Sequence, residues 1–411
     1  MKDKIFTLIT QEENLQEETI NLIPSENYCS VAVKKTLGSV LTDKYAEGYP
    51  KRRYYQGNKI VDEVENLAIQ RAKSLFGVPY VNVQPYSGST ANMAVYFTLA
   101  NPGEKVMGMD LKAGGHLTHG APVNFSGKFY KVVSYGVNSD GWLDYEEIEN
   151  LAKRHRPKII WCGATAYPRF FDWQKFAKIA EKVGAWLVAD IAHYAGLIVG
   201  GVYPSPVSFA DILTTTTHKT LRGPRGAMIM VTKKGLKKDK NLGEKINRWV
   251  FPGLQGGPHE NNIAGIAVAL AEAKKPSFKK YAQQVIKNAQ VLAEELIKFG
   301  FKLVTGGTDN HLLLIDLRNK KISGKETAVI LEKVGIIVNA NSIPNDPGPP
   351  LKPSGIRLGT PAVTTRGMKE KEMKLIANFI YRAIEFKEDE KELQKIKNEV
   401  KRLTSQFRLR F

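Results

Sequence analysis

From about residue 60 to residue 232, stretches with the apolar spacing of helices alternate with short, continuously apolar runs. Runs of that kind suit strands buried on both faces, so the alternation argues for a parallel α/β sheet covered by helices. Residues 62–76 form the clearest helix: Val64, Leu67, Ala68, Ala72 and Leu75 recur on one face, and Gly77 follows as a stop. Strands are expected at 81–84, 105–109, 158–163, 185–189, 211–217 and 227–231, with helices through Ala100 and over 144–155 and 172–183. The lysine-rich stretch 232–248 reads as a solvated loop or helix.

Past Pro276 a separate α/β unit begins, with helices over 281–299, 325–334, 369–386 and 388–404, a strand over 311–317 and a proline-rich loop over 341–353. A length of 411 residues suits two or three domains of about 100–200 residues each. The expected division is an N-terminal arm over 1–40, a large domain over 41–275 and a small C-terminal domain over 276–411.

Lys and Arg total 60 against 41 Asp and Glu, a net charge of +19. Such a field favours anionic partners, and on charge alone nucleic acid, acidic membranes and phosphorylated or polycarboxylate ligands all stay open. The two cysteines, Cys29 and Cys162, build neither a disulfide scaffold nor a CxxC metal site. The N-terminal stretch 1–18 lacks the apolar core of a secretory signal and reads as a surface helix or arm. The longest apolar stretch, 185–202, carries Asp190 and His193 in its middle, which argues against a spanning helix. A cytoplasmic enzyme in a reduced compartment, without metal or membrane segment, is the expectation.

Open α/β sheets place ligands at the ends of their buried strands. Two expected strands end on polar residues, one on Asp190 and one at His218 and Lys219. A carboxylate at the end of an apolar strand needs a cationic partner, either Lys219 in an ion pair or a protonated heterocycle nitrogen. Ser87, Gly88, Ser89 and Thr90 lie between a strand and a helix, where backbone N–H groups and the helix dipole converge on a phosphate, or where Ser and Thr simply cap the helix. An aldehyde cofactor needs an amine for a Schiff base, a carboxylate for a pyridinium nitrogen and a phosphate cradle. The phosphate loop, Asp190 and Lys219, in that order, fit a pyridoxal-phosphate site. His193, three residues beyond Asp190, either touches that cofactor or is a packed histidine.

Longer strings sharpen this. IPSENY (23–28), DKYAEGYP (43–50), RRYY (52–55), QPYSGSTAN (84–92), GGHLTHG (114–120), DIAH (190–193) and TTTTHKTLRGPRG (214–226) follow in order. FPGLQGGP (251–258), GGTDNHL (306–312), NANSIPNDP (339–347) and SGIRLGTPA (354–362) complete the set. From about Glu12 to the C-terminal helices the chain resembles the serine hydroxymethyltransferases, fold type I (aspartate aminotransferase-like) enzymes that use pyridoxal 5'-phosphate. The resemblance implies an α/β fold with a large, mostly parallel seven-stranded sheet domain and a smaller C-terminal α/β domain. It implies reversible conversion of L-serine and tetrahydrofolate to glycine and 5,10-methylenetetrahydrofolate, in glycine biosynthesis and one-carbon metabolism.

The resemblance also implies roles. Lys219 would hold the cofactor covalently, Asp190 would pair with its ring nitrogen, and His116 would stack on the ring. His193 and Thr165 would face the phenolic oxygen, and Ser87, Gly88, Ser89 and His218 the phosphate. Arg357 would grip the substrate carboxylate as a planar fork, with Ser25 nearby. Glu47 would be the general acid and base at the hydroxymethyl group, with Tyr45 and Tyr55 around substrate and cofactor. In this family Tyr45, Glu47, Tyr55 and the turn at Gly256 and Gly257 come from the neighbouring subunit, which implies a homodimer with shared sites. Leu111, Gly115, His116, Leu117 and Asn341 match positions lining the tetrahydrofolate pocket.

Some positions depart from the family pattern. Pro24 stands where Ala is common, Tyr86 where His or Asn is common, and Lys51, Arg52 and Arg53 where Gly-Lys-Arg is usual. Residues 349–353, Pro-Pro-Leu-Lys-Pro, replace a frequent Ser-Pro-Phe-Val-Thr, so a folate-side wall of different shape is expected. That change motivates an alternative, a folate-independent aldolase of β-hydroxy amino acids such as allo-threonine. The charge motivates an RNA-binding role, which no RNA-reading motif supports.

Overall fold

Residues 3–349 and 351–409 are described by a computed structural model of the chain. The main sheet has seven strands: β1 (Tyr80–Asn82), β2 (Lys105–Met109), β3 (Lys131–Tyr135), β4 (Ile159–Cys162), β5 (Trp186–Asp190), β6 (Ile212–Thr216) and β7 (Ala227–Val231). Their spatial order is β1-β7-β6-β5-β4-β2-β3, and only β7 runs antiparallel to its neighbours. Every residue of β4, β6 and β7 is buried, which is why these strands read as unbroken apolar runs rather than as alternating ones. The sequence reading omitted β3. It is an edge strand in which only Tyr135 is buried while Lys131 and Ser134 face solvent, so its apolar signal is short.

Seven helices matter to the site or to its support: α1 (Lys4–Glu18), α2 (Lys59–Phe76), α3 (Gly88–Leu99), α4 (Glu260–Ala273), α5 (Pro276–Lys298), α6 (Glu370–Glu385) and α7 (Glu390–Thr404). The stop expected after residue 76 is a left-handed Gly77 at φ 69°, a conformation a Cβ would strain. No residue of α1 is buried, in keeping with a surface helix. The lysine-rich stretch is two short helices, Lys233–Lys238 and Leu242–Arg248. Its lysines are largely solvated, but Leu242 and Ile246 are buried in the core beneath the sheet.

A second, wholly antiparallel sheet comprises β8 (Lys302–Leu303), β9 (Leu312–Asp316), β10 (Asn339–Asn341) and β11 (Gly355–Gly359), in the order β8-β9-β11-β10. Its core takes in Ile20 and Leu22 as well as residues of α6 and α7. Helix α5 belongs to both cores: Phe278, Tyr281 and Val285 pack in the main one, and Ala289, Leu292 and Leu296 in the second. In the main sheet β1, β5 and β6 point the same way, so their C-terminal ends open on one rim. The turn into α3, Asp190 and Lys219 all follow those ends.

Candidate active site

A cavity of about 210 Å³ opens on that rim. The sequence candidates Ser87, Gly88, Ser89, His116, Thr165, Asp190, His193, His218 and Lys219 all line it. Asn92, His119, Thr216 and Arg225 join them, none of which the sequence reading assigned a role.

Asp190 is buried and tightly held. Its Oδ2 accepts from Asn92 Nδ2 at 2.9 Å and from His119 Nε2 at 3.0 Å, and its Oδ1 accepts the Ala192 N–H at 3.1 Å. His119 Nδ1 accepts the His116 N–H at 3.3 Å, so Nε2 carries the proton donated to Asp190. Burial alone would raise the carboxyl's pKa. The hydrogen bond from His119, the His119 and His116 imidazoles close by and the Asn92 amide outweigh it and hold Asp190 well below the usual carboxylate range. Yet no Lys or Arg among the described residues lies within 4.0 Å of it. Of the two partners considered for Asp190, the Lys219 ion pair is therefore not formed.

Lys219 is 8% exposed, and its Nζ has no hydrogen-bond or ion-pair partner among the described residues. Burial is the main influence on it; with Arg357 and Arg225 it outweighs the attraction of Asp190 and lowers the amine to about 8. An amine so shifted has a nucleophilic, unprotonated fraction near neutral pH. Burial likewise lowers His116 to about 4 and His218 to about 3, and His193 well below its ordinary value, so all three are neutral in that range. His193 Nδ1 meets His311 Nε2 at 3.1 Å, a link from the main sheet to the second.

The far end suits a phosphate. The N-terminus of α3 borders the cavity, where its first N–H groups and dipole favour an anion. A Cβ at Gly88 would stand 2.8 Å from Thr216 Cγ2, so glycine permits the turn to close against β6. Thr216 Oγ1, His218 Nδ1 and Asn92 Oδ1 are buried without a hydrogen-bond partner, and all three residues line the cavity. Orphaned polar atoms around a small cavity call for a polar ligand. Arg357 on β11 donates from Nη1 to Thr165 O at 2.6 Å and from Nε to Asn339 Oδ1 at 3.1 Å, leaving Nη2 unspent. No carboxylate among the described residues lies within 4.0 Å of it, and burial lowers its pKa to about 10. An unpaired amine, a clamped carboxylate lacking a cation and an anion cradle are the three groups that pyridoxal 5'-phosphate requires, and the residues fit it.

Glu47, Tyr45, Tyr55 and Gly257 do not line this cavity. They form a cluster of their own: Tyr45 Oη lies 3.5 Å from Glu47 Oε1, the Tyr45 and Tyr55 rings meet edge-on at 5.2 Å, and a Cβ at Gly257 would stand 3.3 Å from the Tyr45 ring. Tyr45 and Tyr55 are exposed, and the charge of Glu47 raises the Tyr45 pKa. Tyr86 buttresses the cluster by donating from Oη to Gly257 O at 2.7 Å. Leu111 and Leu117 are exposed apolar residues, Gly115 O accepts from Thr165 Oγ1 at 3.0 Å, and Asn341 lies on β10, opposite Gly355 of β11. Ser25 follows Pro24, whose ring packs on Gly359, two residues past Arg357. In the stretch 349–353, Leu351 and Lys352 are exposed, and Pro350 lies outside the described residues.

Among the residues given no role, Asn92 had a legible signal: it is a polar residue on a buried helix face between Ala91, Ala94 and Val95. His119 and His311 stand inside the quoted strings, but only the fold shows which groups they touch.

The sequence model of the family described as "Serine hydroxymethyltransferase" matches residues 1–380. The serine hydroxymethyltransferase of Desulfotalea psychrophila is 54% identical over 404 residues, 98% of this chain and 93% of that relative. That of Acidothermus cellulolyticus is 54% identical over 410 residues, 98% of this chain and 94% of the relative. That of Legionella pneumophila is 54% identical over 406 residues, covering 98% and 96%.

Proposed function

Since the chain belongs to the serine hydroxymethyltransferase family, we propose that the cavity around Lys219 and Asp190 is its active site. The chain is a transferase that reversibly converts L-serine and tetrahydrofolate to glycine and 5,10-methylenetetrahydrofolate, with pyridoxal 5'-phosphate as cofactor. One observation carries the assignment: an ionised Asp190 without a cation and a Lys219 amine without a partner share one polar cavity.

When bound, the cofactor supplies an aldehyde for amines and a ring that accepts the electron pair left when a bond at the substrate α-carbon breaks. Lys219 attaches it through Nζ, whose lowered pKa keeps part of the amine unprotonated. Asp190, fixed by Asn92 and His119, holds a proton on the ring nitrogen. His116 is neutral and would offer its imidazole to the cofactor ring without adding charge. Thr165 and His193 address the phenolic oxygen. Ser87, Gly88 and Ser89 hold the phosphate with His218, whose unpartnered Nδ1 is available to it. Arg357 takes the substrate carboxylate on its free donor, near Ser25, and so fixes which α-carbon bond faces the ring. Glu47 moves the proton of the serine hydroxyl, and Leu111, Gly115, His116, Leu117 and Asn341 border tetrahydrofolate.

Glu47, Tyr45, Tyr55 and Gly257 reach a site on a second copy of the chain in a homodimer. In support, Val40, Tyr54, Tyr55, Ile60 and Leu67 are exposed apolar residues along the same stretch of chain as Glu47. The division into 1–40, 41–275 and 276–411 is supported by distinct apolar cores for the large and small units, with α5 contributing residues to both. A cytoplasmic location fits a chain in which no described helix is long and apolar enough to cross a membrane. The deciding assay measures methylenetetrahydrofolate formed per serine consumed. One for one is expected, and serine turnover at equal rate without tetrahydrofolate overturns the assignment in favour of an aldolase.

A further inference from the structure

A second cavity, of about 680 Å³, lies beside the loop that follows Lys219 and shares no lining residue with the first. Its size is that of ligand pockets, about 300–1,000 Å³, and it sits where such pockets concentrate, between packed units. Arg222 and Lys275 border it from the main unit, Thr365, Arg366 and Arg408 from the second, and the segment 28–32 closes the remaining side.

Its charges are unbalanced. Among the described residues, Arg222, Lys275, Arg366 and Arg408 line it with Glu272 as the single carboxylate, and none of the four has a carboxylate within 4.0 Å. Arg366 is 7% exposed and donates only to main-chain carbonyls, those of Phe407, Gln16, Thr19, Glu17 and Thr404 at 2.8–3.1 Å. Its five N–H groups are thus spent at the C-terminal ends of α1 and α7, whose dipoles offset its charge, so it shapes the wall without offering a donor to a ligand. The Arg222 guanidinium lies 4.1 Å over the Tyr281 ring and 5.2 Å from that of Phe278, which fixes it in place, and no acceptor among the described residues takes its donors.

The same residues reach the catalytic lysine. Asn27 Nδ2 donates to Lys219 O at 3.0 Å and to Tyr281 Oη at 2.8 Å, while Asn27 Oδ1 accepts from Thr365 Oγ1 at 2.7 Å. Thr365 and Arg222, both in the cavity wall, therefore flank the amide that holds the Lys219 backbone. A ligand here would tie Arg222 and Lys275 to Arg408 across the two units. Substrate ties Arg357 to the Lys219 site across the same two.

We propose that this cavity is a second binding site, for a small polyanion bearing phosphate or carboxylate groups, and that its occupancy is coupled to amino-acid binding through Asn27, which joins the cavity wall at Thr365 to the Lys219 backbone. The coupling rests on the roles given to Lys219 and Arg357; the site does not. The test titrates holoenzyme with inorganic pyrophosphate or with citrate by calorimetry, at constant ionic strength and with saturating glycine covering Arg357. Saturable binding at one site per chain is expected, and the tighter of the two probes assigns the ligand class. The double variant Lys275→Ala/Arg408→Ala alters two exposed side chains outside the catalytic machinery. It should keep wild-type basal activity while binding the probe about tenfold more weakly or worse. Filling the site should change glycine affinity about fivefold or more, and glycine should change probe affinity by the same factor. No saturable binding, equal binding by the double variant, or unchanged glycine affinity would overturn the proposal. A holoenzyme without cofactor on Lys219 would instead overturn the active-site assignment, leaving the calorimetry of the site standing.

Discussion

Replacing His119 with Leu removes the one imidazole N–H that Asp190 Oδ2 accepts, at 3.0 Å, and leaves Asn92 and the Ala192 N–H in place. A hydrogen bond to a charged group is worth about 1.5–3 kcal/mol, or about one to two pKa units. Asp190 is buried, so little solvent screening reduces that figure. The proton that Asp190 keeps on the cofactor ring is held by the carboxylate's charge, so cofactor affinity should fall by about 10- to 100-fold. The pH dependence has a definite sign. A carboxyl whose folded pKa is depressed contributes stability above its unfolded value and loses it as pH falls through the folded one. Wild-type holoenzyme should therefore keep its cofactor further into acid, below about pH 4, and the Leu variant should release it at higher pH. His119→Gln places an amide N–H near the same position and should restore most of both effects. The His119 ring also stacks on Trp161 with centroids 5.7 Å apart, and the Gln variant controls for that lost packing. Cofactor affinity by equilibrium dialysis and acid release followed by absorbance are the assays. A Leu variant with wild-type affinity and a wild-type acid limit would refute the claim that His119 sustains the Asp190 charge.

Arg357→Gln should lower kcat/KM for serine by about 10- to 100-fold, since the charge-assisted hydrogen bond from the free Nη2 to the carboxylate, worth about 1.5–3 kcal/mol, is lost; steady-state kinetics checks it. Mixing Lys219→Ala subunits with Glu47→Gln subunits should restore about a quarter of wild-type activity, because half of the dimers carry one intact shared site. A mixture as inactive as its parents would place Glu47 and Lys219 in the same subunit's site. Glu260 is buried beside Glu65, with neither oxygen hydrogen-bonded, and burial first and Glu65 next push its carboxyl up to about 8. A carboxyl raised in this way stabilises the fold below its unfolded value and loses that contribution as pH rises toward 8. Glu260→Gln should thus gain about 3 kcal/mol at pH 7 and nothing below about pH 4.5, as read by urea melts across pH.

Much of this site is legible in the sequence because strand ends are chemically loud. Asp190 closes an apolar run and Lys219 follows four threonines, so each stands out before any fold is known. What the residues touch is another matter. Asp190 permits either Lys219 or a heterocycle as its partner on sequence grounds, and only the coordinates show that no Lys or Arg reaches it. His119 and Asn92 are invisible as partners of Asp190 because 71 and 98 residues separate them from it. Edge elements carry the faintest sequence signal. β3 has one buried residue of five, and Leu242 and Ile246 are hidden among lysines whose charge dominates the local pattern. The +19 charge is partly accounted for: Lys219 and Arg225 line the cofactor cavity, Arg357 is near enough to lower the Lys219 amine, and Arg222, Lys275, Arg366 and Arg408 gather at the second cavity.

The central claim is that Lys219 carries the cofactor, and borohydride tests it most directly. Reduction of the holoenzyme fixes the cofactor to whichever amine holds it, and peptide mapping by mass then reads the position. The modified peptide should contain Lys219, and Lys219→Ala should lose both that mass and the bound chromophore's absorbance near roughly 420 nm. Cofactor fixed to any other lysine, or an Ala variant that keeps the chromophore, would contradict the account.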